Sequence, residues 1–247
     1  MAGSQRMIVE VCVESVAAAV EATAGGADRL ELNYALALDG LTPSTGLFAQ
    51  VRAASELPIV VMIRPRAYGF VYSVPEFATM LADIDAFVDA GADAFAIGIL
   101  TEAGEIDVPR LQQAIAHMQN IPCVFHRAFD VTPDPYQALE TLIDCGVQRV
   151  LTSGQAPTAL AGAKILQKLI AQANGRIEIL PGAGITPDSV TKLVVQSGCT
   201  QVHGSFSNPA GKLLPEPEGL DVLRAPAKPG TDQHVVAAVV RALHHTS

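Results

Sequence analysis

The sequence predicts an α/β protein, a (β/α)8 TIM barrel formed as one domain over residues 1–247. Three observations carry this. First, a short unit recurs: GGADRLEL (25–32), AGADAFAI (90–97), CGVQRVLT (145–152) and SGCTQVHG (197–204). In each, a glycine closes a helical pattern and an extended run begins directly after it, which is the helix-to-strand joint of an αβ unit. Second, reading outward from these joints gives eight strand patterns with helical patterns between them. Third, 247 residues match the length of a single barrel of this kind. A doubly wound open sheet is the alternative, and no GxGxxG follows the first strand to support it.

The strand patterns run in order as MIVEVCV (7–13), ADRLELN (27–33), PIVVMIRP (58–65), ADAFAIGIL (92–100), PCVFHRAF (122–129), VQRVLTSG (147–154), RIEILPGAG (176–184) and CTQVHGSFS (199–207). Most are apolar on both faces, as strands covered by helices should be. Between them, PEFATMLADIDAFVDAG, ALAGAKILQKLIAQAN and QHVVAAVVRALHH repeat apolar residues at three and four. Ser73 with Glu76 spells a capping box, and Asp134-Pro135 and Thr186-Pro187 place a cap residue before a first-turn proline. Residues 208–232 hold five of the sixteen prolines without periodicity and are expected to form a long loop before the last helix.

Composition excludes several classes. A net charge of −9 argues against a nucleic-acid binder, which needs a basic face. No apolar run is long enough to span a membrane, and no secretory signal is seen. Cys12, Cys123, Cys145 and Cys199 share no CxxC spacing, so reduced thiols in the cytoplasm are expected. The five lysines, at 164, 168, 192, 212 and 228, fall outside every strand pattern, which disfavours a Schiff-base aldolase. HExxH, Walker and GxSxG motifs are absent.

In a barrel of this type the site lies at the carboxyl ends of the strands. Those ends carry Glu10 and Cys12, then Glu31 and Asn33, then Arg64 and Arg66. Further along come His126, Arg127 and Asp130, then Thr152, Ser153 and Gln155, then Gly182 and Gly184, then His203, Gly204 and Ser205. The opposite ends read mostly Pro, Ala, Gly and Asp, with little chemistry expected there. Glu10 is expected to face Arg64, Arg66 or Arg127, because a buried carboxylate needs a partner. Neighbouring strand residues point to opposite faces, so His126 and Arg127 cannot both enter the lumen. The PGAG and HGS segments, with Gly182, Gly184, His203 and Ser205, are candidate backbone donors to phosphate or another oxyanion.

The motifs EVC (10–12), GGADRLEL (25–32), GLTPS (40–44), MIRPR (62–66), GFVYS (69–73), FHRAFD (125–130), RVLTSGQ (149–155) and PGAG (181–184) stand in an order that resembles the CutC family of copper homeostasis proteins. The resemblance implies a cytosolic (β/α)8 barrel, oligomeric as a dimer or tetramer. It also implies Cu(I) binding through two cysteines, one matching Cys12 and the other falling where this chain has Asn33. The family's glutamate before the last strand's histidine is replaced here by Gln201. Three readings follow. One is a copper-handling protein with Cys12 as ligand. The second is a barrel enzyme, an isomerase, lyase or hydrolase, acting on a small anionic metabolite. In it Arg64, Arg66 and Arg127 hold the anion, with Ser153, Gly182, Gly184, His203 and Ser205 as further binding residues, and Glu10, Glu31, His126 and Asp130 move protons. The third is a scaffold or oligomer subunit.

Overall fold

A computed structural model describes residues 6–208 and 230–244. β1 (Ile8–Val13) lies between β2 (Arg29–Leu32) and β8 (Gln201–Gly204). The sheet continues from β2 through β3 (Ile59–Met62), β4 (Ala94–Ile97), β5 (Cys123–Phe125) and β6 (Arg149–Thr152) to β7 (Glu178–Pro181). Every ladder is parallel. The ring is nearly closed, because β7 meets β8 through a single parallel bridge, Gly182 to His203. Around it run α1 (Val16–Ala24), α2 (Thr45–Ala54), α3 (Val74–Ala90), α4 (Val108–His117), α5 (Pro135–Asp144), α6 (Ala163–Ala173), α7 (Pro187–Ser197) and α8 (Gln233–His244).

The local signals explain the elements. Ser73 and Glu76 form a reciprocal capping box at the start of α3, and Asp134 accepts from the Tyr136 and Gln137 N–H groups at the start of α5. At the recurring joints Gly91 (φ 84°) and Gly198 (φ 73°) take the left-handed conformation that ends the helix and redirects the chain into a strand.

Strand alternation divides the interior in two. Outward residues such as Val9, Val11, Leu30, Leu32, Ile59, Val61 and Phe95 join one large cluster with the helices. Inward residues Val60, Met62, Ala94, Ala96, Val124, Leu151 and Leu180 form a second cluster, the lumen filling. Burying each large apolar side chain stabilises by about 1.5–3 kcal/mol, so the outer layer dominates cohesion.

Two expectations are adjusted. The strands are shorter than their apolar runs; β5 ends at Phe125, and residues 127–131 turn as a 3-10 helix started by His126, whose Nδ1 accepts the Ala128 N–H (3.1 Å). Of the expected loop 208–232, residues 209–229 lie outside the described residues, while its flanks Ser207 and Thr231 pair in an antiparallel bridge.

Candidate functional site

The lumen has one polar wall. The inward positions of β1, β2 and β8, extended by Asn33, are Glu10, Cys12, Arg29, Glu31, Asn33, Gln201 and His203, facing the apolar residues of β3–β7. Register places Glu10 between Arg29 and His203, and Cys12 beside Glu31. The Arg29 Nε–H donates to Glu10 Oε2, and Glu10 Oε1 lies 2.7 Å from His203 Nδ1. His203 Nε2 then lies 3.8 Å from Glu31 Oε2. The Asn33 amide holds Glu31, its Nδ2 donating to Oε2 at 2.8 Å and to the Glu31 carbonyl at 3.2 Å. One ligand atom each from Cys12, Glu31 and His203 fall within 4.8 Å of one another, all three residues being buried. Glu31 Oε1 and Asn33 Oδ1 are buried without a hydrogen-bond partner.

Charge is arranged along this chain of groups. Burial alone would raise the Glu10 carboxyl, but the His203 hydrogen bond and the Arg29 guanidinium outweigh it and hold the group down to about 2. Burial likewise disfavours a charged His203, yet Glu31, Cys12 and Glu10 together push its pKa well above the ordinary value. Glu31 is raised, chiefly by burial and also by Glu10, against the pull of His203. Glu10 is thus a fixed anion, while Glu31 and His203 are the groups able to exchange a proton or release one to a metal.

Glu10 does not face Arg64, Arg66 or Arg127. Arg29 is its direct cross-strand neighbour, and the rim arginines are engaged elsewhere. Nor are the amino ends of the strands empty of chemistry. Arg29 Nη2 donates to Gln201 Oε1 (3.1 Å), Gln201 Nε2 to Glu178 Oε2 (3.3 Å), and Arg149 Nε to the same carboxylate (2.8 Å). This network floors the polar wall.

The remaining candidates separate. Arg64 is buried on the inward side beyond β3; its Nη1 donates to the carbonyls of Leu38 (3.0 Å), Asp39 (3.2 Å) and Gly40 (3.1 Å). His126 is buried beyond β5, with burial and then Arg64 depressing its pKa to about 3. Arg66 pairs with Glu76 and donates to the Val71 carbonyl, away from the polar wall. Arg127 is half exposed and pairs with Asp130. Asp130 itself is saturated: it accepts from Thr152 Oγ1, the Ser153 N–H and Oγ, and the Gln155 N–H, which ties the loop after β6. The Gly182 N–H is taken by the Thr152 carbonyl (3.0 Å). Gly184 is positioned by its left-handed φ of 65° against Thr158, and Ser205 is half-buried just past β8. The structure therefore gathers Glu10, Cys12, Glu31 and His203 at one wall and Arg64 with His126 at another. Arg66, Arg127, Asp130 and Ser153 stand aside.

Arg29, Arg149, Glu178 and Tyr72 were not singled out from the sequence. The signal for the first was present, since Arg29, Glu31 and Asn33 alternate and share one face. Tyr72 lies inside the GFVYS motif, but the sequence does not show that its hydroxyl is buried.

The sequence model of the CutC family matches residues 7–208. A CutC family protein of Treponema denticola is 47% identical over 195 residues, covering 79% of each chain. A human copper homeostasis protein cutC homolog is 46% identical over 198 residues, 80% of this chain and 72% of that one. The crystal structure of CutC from Streptococcus agalactiae superposes with a TM-score of 0.76 at 33% identity, covering 80% of this chain and 98% of the other. A KDPGal structure, 15% identical with a TM-score of 0.62 over 100% of this chain and 98% of that one, shares the fold alone. With its motifs, its barrel and these relatives in agreement, the chain belongs to the CutC family.

Proposed function

We propose that the protein handles copper, holding the ion inside the lumen on Cys12, His203 and Glu31. One observation carries this: His203 gives Nδ1 to Glu10 and turns Nε2 towards Cys12 and Glu31. A carboxylate behind a histidine, fixing its tautomer and leaving the other nitrogen for a cation, is the usual support of a metal-bound imidazole. Arg29 in turn anchors that carboxylate. A thiolate with an imidazole suits copper over the hard divalent ions. Asn33, where the family resemblance implies a second thiolate, here orients Glu31, so the set is mixed in sulfur, nitrogen and oxygen. The raised His203 must lose its proton to bind, so affinity should strengthen as pH rises. The names of the human and Streptococcus relatives support copper as the ion. Four free cysteines support a reducing, cytoplasmic setting; among the described residues no helix is long and apolar enough to cross a membrane. A dimer or tetramer, as the resemblance implies, is part of the same proposal and is read by light scattering.

The test is titration of the reduced protein with Cu(I) against a competing chelator. Cys12→Ser should bind at least roughly tenfold more weakly, the loss expected when the softest ligand is removed. Equal affinity in parent and variant would falsify the site.

A further inference from the structure

Beyond the ends of β3 and β5 stands a second group of residues with unmet bonding. Arg64 is 5% exposed, and among the described residues its guanidinium forms no ion pair with a carboxylate. Its Nη1 rests on three carbonyls, but Nε has no partner. His126 is 3% exposed; its Nδ1 accepts the Ala128 N–H, which leaves the proton on Nε2, and that N–H also has no partner. The Tyr72 hydroxyl, in a residue 3% exposed, is a third buried donor with no acceptor in reach among the described residues.

These groups are neighbours by register. β3 and β4 pair Met62 with Ala96, β4 and β5 pair Ile97 with Phe125, and the His126 N–H continues the ladder to the Ile97 carbonyl (2.9 Å). Arg64, Gly98 and His126 therefore stand in one row. Gly98 lacks the Cβ that would meet the imidazole at 2.2 Å, so the ring lies across β4 towards Arg64. Phe70 packs against both, 5.1 Å from the Arg64 guanidinium carbon and 5.1 Å from the His126 ring centre. Tyr72 feels the Arg64 and Arg66 charges, and its hydroxyl oxygen lies close enough to the Arg64 guanidinium to accept from it, which leaves the O–H free to donate.

All three orphans are N–H or O–H donors, and the sole uncompensated charge among them is one buried cation. A buried guanidinium without a counter-charge is strongly unfavourable, and each buried unbonded donor adds its own cost. An anion accepting from all three relieves both. A single positive charge, beside a histidine that burial keeps neutral, matches a monoanion and leaves a phosphate dianion half compensated. We propose that Arg64, His126 and Tyr72 form a binding site for the carboxylate of a small molecule, made of residues separate from the metal ligands.

The test uses the full chain, freed of metal by a chelator, with sodium formate and sodium acetate as probes and sodium chloride at matched ionic strength as control. Melting temperature and the His126 Nε2 resonance of ¹⁵N-histidine-labelled protein are followed together. A saturable rise in melting temperature with a concerted shift of that resonance is expected for the carboxylates and not for chloride. Tyr72→Phe removes only a hydroxyl whose near neighbour is the Arg64 guanidinium, so the variant should fold. It should bind formate roughly tenfold or more weakly, the loss of one bond to a charged acceptor. Cys12→Ser should bind formate like the parent. The proposal is overturned by a response no different from chloride, by Tyr72→Phe binding as tightly as the parent, or by inorganic phosphate saturating ahead of formate. Formate binding abolished in Cys12→Ser also overturns it, since the carboxylate would then be sitting on residual metal.

Discussion

Glu10 sits at 1% exposure in the middle of a strand, a place where a carboxylate survives only if its charge is answered from more than one side. Arg29 answers on Oε2 and His203 on Oε1, and the two together overcome desolvation. Removing one partner of such a pair leaves a bare buried charge, so Arg29→Met should lose about 3–5 kcal/mol in urea unfolding. The double variant Glu10→Gln with Arg29→Met should recover part of that, and strict additivity of the two single losses would show that the pair is not coupled. The role of Glu10 was legible as a polar break in an apolar run. Its partner was not, because Arg29 stands at the first residue of β2 and only the strand register shows that it lies level with Glu10.

At the scale of elements, the repeated glycine joints and the apolar runs beside them located all eight strands, and the capping signals of α3 and α5 placed their first turns. The ends of strands were less legible. The strand pattern PCVFHRAF reads on to Phe129, but β5 ends at Phe125: after the His126 N–H makes one last bond to the Ile97 carbonyl, the His126 side chain takes the Ala128 N–H and starts a turn. That turn sends Arg127 to the surface and carries Asp130 to the loop after β6, where its oxygens are consumed by Thr152, Ser153 and Gln155. A sequence lists these polar residues side by side and does not say which bonds they spend on their own backbone. The end of β4 shows the converse, a residue silent in sequence and decisive in space. Gly98→Ala would drive a methyl into the His126 ring and the Ala128 Cβ (2.6 Å), neither of which is free to retreat. A loss of about 1–3 kcal/mol is expected, with a displaced His126 resonance as the specific readout.

For the whole molecule, the barrel was readable from unit length and repetition, whereas the division of its lumen into a polar and an apolar wall required knowing which strands adjoin. That division makes stability depend on pH in opposing ways. His126 is held neutral, at about 3 against 6.5 in the open chain, so the unfolded state binds the extra proton between these values and stability falls as pH falls through that window. Glu31, raised by burial, works the other way above its ordinary range. The informative measurement is therefore the stability of the parent minus that of His126→Gln. This difference should decline by about 1.4 kcal/mol per pH unit between roughly pH 6.5 and pH 3. A flat difference would mean that the imidazole is already protonated in the fold.

The seam of the ring adds a mechanical point. Seven junctions between strands are laced by paired backbone rungs, and the eighth has one backbone stitch, whose own residue is His203, helped by the Gln201 side chain reaching Glu178. The clasp of the hoop and the imidazole at its heart thus belong to one residue, whose backbone meets β7 while its ring meets Glu10.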